Sequence, residues 1–315
     1  KRFVPSSYAT SRFFQQQAFN QKNNAQSPTL YHEPNFLPFK FKGPTVLTVH
    51  DLSWIRHPET HPADRVKMMN RYFESGLRRA DAIITDAEYI KQELIDVFNI
   101  SPDLIHAIPL GAEALFKPQA PENTQAILKK HDLIHGQYFL SVGTLEPRKN
   151  LQATLRAFMQ LPKAIRRRTP LILIGMKGWH TSELEKQIAP LVQAGEIRQL
   201  GYLPRKELAM IIAGALTLIF PSIYEGFGLP PLEAMTCGVP VIASNASTLP
   251  EVVGDTGYLV EPHDIDGLSA AMKELVMAPD MRHTLSQKAL TKSQDFSWAK
   301  CAEQTVGVYQ QVLNT

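Results

Sequence analysis

Cysteine is nearly absent from this chain of 315 residues, which holds only Cys237 and Cys301. Two thiols make neither a disulfide framework nor the paired spacing of a zinc site, and they point to a reducing compartment, the cytoplasm. No apolar run reaches the ~18 residues of a membrane span. The opening KRFVPSS leads into Gln-rich sequence and is not a signal peptide. Charge of either sign is not in excess: 33 basic residues face 30 acidic ones, a formal net charge of +3. That is too weak to imply nucleic acid, and it suits an anionic nucleotide or peripheral contact with the anionic inner face of a membrane. Internal repeats, a G-x-S-x-G elbow and a G-x-x-x-x-G-K-[ST] loop are missing. Residues 1–28 contain no glycine and no strand-like run. A Rossmann-like domain normally begins with a hydrophobic strand and a Gly-rich turn, so the first domain is expected to be incomplete, without its opening strand.

What is present is an ordinary globular composition, 44% hydrophobic and 20% charged. Apolar runs bounded by turn residues predict strands over 29–32, 45–49, 82–85, 105–108, 138–142, 171–174, 197–200, 215–220 and 239–243. Helical periodicity fills the gaps at 64–80, 88–98, 124–131, 151–159, 267–277 and 296–313. Alternating strands and helices in both halves predict an α/β protein with two domains and a site between them. The helix from Asp64 carries Val66, Met69, Phe73, Leu77 and Ala80 on one face. Its Arg65, Arg71 and Arg78 are read as a solvated face or a lipid-headgroup surface. Asn150 is placed to cap the helix over 151–159. Asp264 and Asp266 form a D-x-D, a spacing used for metal elsewhere, but they precede the helix over 267–277 and are read as N-caps. No metal site is expected.

The most informative stretch is FPSIYEGFGLPPLEAMTCGVPVIA, residues 220–243. Strand, glycine turn, helix and strand make a βαβ unit, and in an open parallel sheet ligands bind beyond the carboxyl ends of the strands. Gly226 and Gly228 allow a tight turn and close approach, and the helix start offers unpaired N–H groups to phosphate or sugar oxygen. Glu225 and Glu233 flank the turn, and a carboxylate accepts hydrogen bonds from neighbouring hydroxyls, as a polyol presents. Two further turns attract notice. His50 and Asp51 follow the strand over 45–49 and fall at the functional edge. Arg148 and Lys149 sit in a strand-to-helix turn, where cations suit anionic oxygen.

The nonapeptide EGFGLPPLE at 225–233 resembles the E-x7-E element of retaining glycosyltransferases of family 4, which have the GT-B fold. The resemblance covers nearly all of the chain. It implies two Rossmann-like domains facing across a cleft: an acceptor-side domain at 1–112, a nucleotide-sugar-binding domain at 113–295, and a last helix at 296–315 packing back on the first domain. It implies that Glu225 reaches the donor sugar, that Glu233 takes the ribose diol, and that the amides of Gly226, Phe227, Gly228 and Leu229 face sugar and diphosphate. The turn from Gly143 to Asn150 matches the family's G-x-L-x-x-x-K-N element, whose basic residues hold the diphosphate. Many members have Arg directly after the glycine; this chain has Thr144, leaving Arg148 as the substitute beside Lys149. The backbone at Tyr202 and Leu203 is implied at the nucleobase, equally readable as packing. His50 matches a histidine near donor sugar and acceptor. The turn after 82–85 commonly carries serine; Asp86 and Tyr89 stand there instead, and no role is transferred to them.

The resemblance implies a mannosyltransferase-like enzyme using a nucleotide diphosphate sugar, GDP-mannose first, with a saccharide or lipid-linked saccharide as acceptor and no cofactor. Its catalytic residues would be His50, Glu225, Arg148 and Lys149. A nucleotide-sugar-binding module without transferase activity is the alternative. An epimerase of the same architecture ought to show more acid/base groups around the site, and a phosphorylase a lysine for pyridoxal phosphate; the sequence makes no clear case for either.

Overall fold

The computed structural model describes residues 5–26, 29–176, 178 and 182–314. The chain divides into two compact units, one formed by Lys1–Leu110 with Ala299–Thr315 and the other by Gly111–Trp298. Among the described residues no helix is long and apolar enough to cross a membrane.

The first unit is built on four parallel strands in the order β1 (Tyr31–Glu33), β2 (Thr45–Val49), β3 (Ala82–Thr85) and β4 (Ile105–Ala107). Alternation along β2 divides its buried residues between two faces. Leu47 and Val49 pack with Trp54, Phe73, Leu77 and Leu94. Val46 turns the other way and joins Ala82, Ile84, Ile108 and Val308, the last of these from the helix Trp298–Leu313. Trp298, at the start of that helix, is 45% exposed, and Val308 is the helix's buried residue. The helix Ala63–Leu77 buries Met69, Phe73 and Leu77, with Asp64 inside its first turn, but Ala80 falls beyond its end. Residues 5–26 form one helix that the sequence reading passes over; the rest of that opening stretch, 1–4 and 27–28, lies outside the described residues.

The second unit holds six parallel strands: β5 (Phe139–Val142), β6 (Leu171–Ile174), β7 (Ile197–Gly201), β8 (Thr217–Phe220), β9 (Val241–Ser244) and β10 (Tyr258–Val260), arranged β10-β9-β8-β5-β6-β7. Both faces are covered, as a parallel sheet requires. Phe139, Leu171, Leu173, Ile219 and Ile242 pack with Leu155, Phe158, Leu268 and Met272, and Leu140, Ile172, Leu218 and Ala243 are buried on alternate positions. From β5 the chain runs outward through β6 and β7, then returns to place β8 on the other side of β5. The loops after β5 and β8 therefore diverge at a topological switch point, where open α/β sheets bind ligands.

The close approach that shapes this edge falls on two glycines. Gly143 N–H donates to Ile174 O at 2.9 Å, and a Cβ on Gly175, whose φ is +150°, would sit 1.8 Å from Gly143 O. Only glycine fits at 175.

Candidate active site

At the switch point the loop after β5 meets the loop after β8. The short turn Pro147–Lys149 is followed by Asn150 in the left-handed conformation, φ 53°. Asn150 holds the N-cap position of the following helix but, contrary to the expectation from sequence, its side chain makes no capping hydrogen bond; its amide donates to Pro221 O at 3.0 Å and Pro262 O at 2.7 Å, pinning the turn to the β8 side. Ile223 N–H donates to Arg148 O at 2.9 Å and joins the loops again. In the same helix Met159, placed by sequence on the apolar face, is 53% exposed.

Glu225 lies between the two cations of that turn. Lys149 Nζ donates to Glu225 Oε1 at 2.6 Å and Arg148 Nη1 to Oε2 at 3.0 Å. Arg148 also donates to Tyr224 O at 2.6 Å and, through Nη2, to Glu146 Oε1 at 3.0 Å. Burial alone would raise the Glu225 carboxyl, but the charges of Lys149 and Arg148 outweigh it and hold the group below the usual carboxylate range. Its main chain is fixed as well: Glu225 N–H donates to Ser247 Oγ at 2.9 Å, and Thr248 Oγ1 donates to the carbonyls of Glu225 and Phe227.

Beyond Glu225, Gly228 takes φ 113° before the helix Leu229–Thr236. A Cβ there would meet Leu249 at 2.8 Å. The N–H groups of Gly226, Phe227, Gly228 and Leu229 donate to no acceptor among the described residues. Four amides at a helix start make a seat for anionic oxygen. The Phe227 side chain faces inward, edge-on to Phe296 at 5.8 Å. Thr144 is partly exposed in the β5 loop, where its carbonyl accepts from Glu146 N–H at 2.8 Å.

Glu233 sits in the second turn of its helix and is 4% exposed. Arg205 Nη2 donates to Glu233 Oε1 at 2.7 Å and Arg205 Nε to Glu113 Oε1 at 2.9 Å, with the guanidinium 4.7 Å above the Phe116 ring. Tyr202 and Leu203 follow β7, two strands out from β5, and Tyr202 is 72% exposed. Sequence reasoning missed Arg205, although a signal existed: a cation as the first residue of a helix opposes the helix dipole and needs carboxylates to hold it. Glu146 was missed too, hidden inside a turn read only for its basic residues.

In the first unit, His50 follows β2. Its Nδ1 lies 2.8 Å from Asp86 Oδ2 and its Nε2 2.9 Å from Pro34 O. Both partners accept, so the geometry suits an imidazolium donating from both nitrogens. Burial would lower the His50 pKa, but the Asp86 hydrogen bond and charge prevail and raise it. Asp86, 3% exposed, is itself raised by burial against the opposing pull of His50. Val49 pairs with Thr85 in the β2–β3 register, and one step further along both strands brings His50 beside Asp86. Asp51 turns back: its Oδ1 accepts from Ser53 N–H at 2.9 Å and Ser53 Oγ at 2.7 Å.

Of the D-x-D pair, Asp264 caps the helix Ile265–Met277 by accepting from Gly267 N–H at 2.8 Å, while Asp266 is no cap and accepts from Gln160 Nε2 at 2.9 Å. Among the described residues no group of three or more His, Cys, Asp or Glu is arranged to hold a metal ion.

The family model for "Glycosyl transferases group 1" matches residues 124–292, and that for "Glycosyltransferase Family 4" matches residues 28–114. The O-antigen chain mannosyltransferase B of Escherichia coli is 40% identical over 282 residues, which is 89% of this chain and 74% of that protein. The serotype-specific mannosyltransferase WbdA of Escherichia coli is 31% identical over 280 residues; these make 86% of this chain but 34% of WbdA, so the chain spans about a third of that relative. Among solved structures, sucrose-phosphate synthase from Thermosynechococcus elongatus superposes with a TM-score of 0.79 at 24% identity, covering 95% of this chain and 77% of that one. The two parallel-sheet units are those of the GT-B class expected from the resemblance.

Proposed function

The chain belongs to the group 1 glycosyl transferases and is a glycosyltransferase; from that premise we propose that it transfers mannose from GDP-mannose, with retention, to a hydroxyl of a polysaccharide or lipid-linked saccharide. The names of the two mannosyltransferase relatives favour mannose, and "O-antigen chain" in one of them favours a growing bacterial polysaccharide as acceptor. The observation that carries the donor reading is Glu225 clamped by Lys149 and Arg148 at the switch point, with four unpaired amides directly after it.

In the reaction the bond between the anomeric carbon and the β-phosphate oxygen breaks, and the nucleoside diphosphate leaves. A bond forms from that carbon to the acceptor hydroxyl oxygen, whose proton passes to the leaving phosphate. Negative charge grows on phosphate oxygen. Lys149, Arg148 and the Gly226–Leu229 amides are the groups that stabilise it in this reading, and preorganised donors of that kind supply large rate factors. We assign no metal to the step. Glu225 is ionised and fixed, able to orient sugar hydroxyls, and Glu233 takes the ribose diol. No carboxylate stands out as a nucleophile for a covalent intermediate, so attack from the face of the departing phosphate fits best. His50, held by Asp86 in the acceptor-side unit, steadies a sugar hydroxyl. Arg65 and Arg71 in the helix Ala63–Leu77 are a candidate peripheral contact with anionic lipid at the cytoplasmic face.

The test is product analysis with GDP-mannose, UDP-glucose and ADP-glucose, each incubated with a lipid-linked oligosaccharide. Mannose incorporation with an α anomeric configuration supports the reading. Incorporation from a UDP-sugar alone replaces the donor. Nucleotide binding without transfer to any saccharide removes the transferase claim in favour of a binding module.

A further inference from the structure

Glu233 is a carboxylate in an unfavourable place. It is 4% exposed, and among the described residues Arg205 is the one cation that reaches it, Nη2 to Oε1 at 2.7 Å. Arg205 is supplied from a different segment, the start of the helix Arg205–Ala213, and no side chain caps that helix. A guanidinium there is opposed by the helix dipole. It is kept in place by Glu113 at 2.9 Å and by the ring of Phe116, 4.7 Å away. Two separate stretches of chain, one holding Glu113 and Phe116 and the other Glu233, thus converge on one arginine from a third.

We propose that Arg205 is a positioning residue for nucleotide recognition: it keeps Glu233 an aimed carboxylate and thereby sets the preference for ribose over deoxyribose. The inference rests on the reading that Glu233 takes the ribose diol. A diol donates two hydrogen bonds and needs two acceptors. A carboxylate offers both oxygens, with lone pairs to spare on Oε1 beside the arginine, whereas a protonated carboxyl presents one acceptor and one donor. Burial is the larger influence and leaves the Glu233 carboxyl above its usual range, Arg205 pulls it back toward the ionised form, and the negative charge of Glu113 pushes the same way as burial. Without Arg205, two carboxylates would remain close together, one of them buried, and Glu233 would take up a proton. The other titratable group facing Glu233 is Cys237, whose thiol burial pushes up to about 12, so it stays neutral across the working range. An ordinary structural ion pair would behave differently: its loss would weaken all nucleotides alike.

The experiment measures Kd by calorimetry for GDP, 2′-deoxy-GDP, UDP and 2′-deoxy-UDP on the full chain and on Arg205→Met, Arg205→Lys and Glu233→Gln. The wild type is expected to prefer whichever ribonucleotide it binds by roughly tenfold or more, the usual scale of a hydrogen bond to a charged acceptor. In Arg205→Met the ratio falls to below about threefold at pH 6 and recovers at pH 8.5 as Glu233 ionises. Arg205→Lys, which keeps a point charge, retains most of the ratio at both pH values. If Arg205→Met does not fold, Arg205→Gln takes its place, since it keeps a hydrogen bond but not the charge. A wild-type ratio with an unchanged Arg205→Met ratio overturns the proposal and leaves Glu233 at the ribose. No discrimination by the wild type overturns the ribose reading itself, and this inference with it.

Discussion

Lys149 Nζ and Glu225 Oε1 are 2.6 Å apart although 76 residues separate them in sequence. The contact exists because β5 and β8 are parallel neighbours in the sheet, so the loops that follow them leave from the same edge. Before any donor arrives, the proposed sugar carboxylate and phosphate cation neutralise one another. A diphosphate entering this loop must share Lys149 with Glu225.

That pairing fixes how the second unit responds to acid. The folded pKa of Glu225 is depressed, so its contribution to stability is present above its unfolded value of about 4.3. It is lost as pH falls through the lower folded value. Lys149→Met removes the nearer of the two lysine and arginine charges. The expected loss is about 3 kcal/mol at pH 7, the low end for breaking a buried ion pair, because Arg148 remains at 3.0 Å. The acid limb of stability against pH moves upward in the variant. Urea melts at pH 3.5, 5 and 7 read both effects, and coincident acid limbs would refute the assignment.

The two glutamates are expected to separate in their effects on ligands. Glu233→Ala weakens GDP itself, on the scale of about 1.5–3 kcal/mol for hydrogen bonds to a charged group. Glu225→Ala alters the response to GDP-mannose far more than to GDP. Thermal-shift titrations of both ligands on both variants provide the comparison. Equal weakening of free GDP by the two substitutions would mean that the sugar and ribose roles are assigned wrongly.

How far the sequence carried this picture depends on whether a property is local. β2, β3 and β6 have the predicted boundaries because a short run of β-branched and aliphatic residues between turn signals has few other interpretations. The Glu225 and Lys149 motifs were legible for the same reason. Pairings across the sheet were not. Asp86 was set aside because it departs from the family's serine, yet the register Val49↔Thr85 puts it beside His50. Arg205 and Glu113 lie in unrelated segments and meet only through the fold. Caps were misjudged where another acceptor or donor competes: Asn150 serves two carbonyls instead of its helix. The helix Pro5–Gln26 has too polar a composition for an apolar stripe to announce it.

Asp264 offers a test that separates capping from metal binding. Its Oδ1 accepts from Gly267 N–H at 2.8 Å. Asp264→Ala is expected to lower stability by about 0.5–2 kcal/mol, the usual effect of losing an N-cap, with no change in donor affinity. EDTA is expected to leave donor affinity and turnover unaltered. Turnover abolished by the chelator and restored by manganese or magnesium would overturn the metal-independent reading.

The pair His50 and Asp86 predicts a pH dependence of the opposite sign to that of Glu225. The folded pKa of His50 is raised, so its stabilising contribution is complete below the unfolded value of about 6.5 and disappears as pH rises through the folded one. Asp86→Asn keeps the shape of the side chain, can still hydrogen-bond, and removes the charge that holds the proton. In the variant the His50 resonance, followed by NMR, should titrate at lower pH than in the wild type. The decline in melting temperature between pH 6 and 9 should be shallower as well. The other charged or titratable groups near the pair are Asp51, His32 and Cys301, so the same titration in His32→Gln serves as a control. If the His50 pKa is identical in wild type and Asp86→Asn, the aspartate does not govern the imidazole, and any loss of activity in that variant must arise from packing.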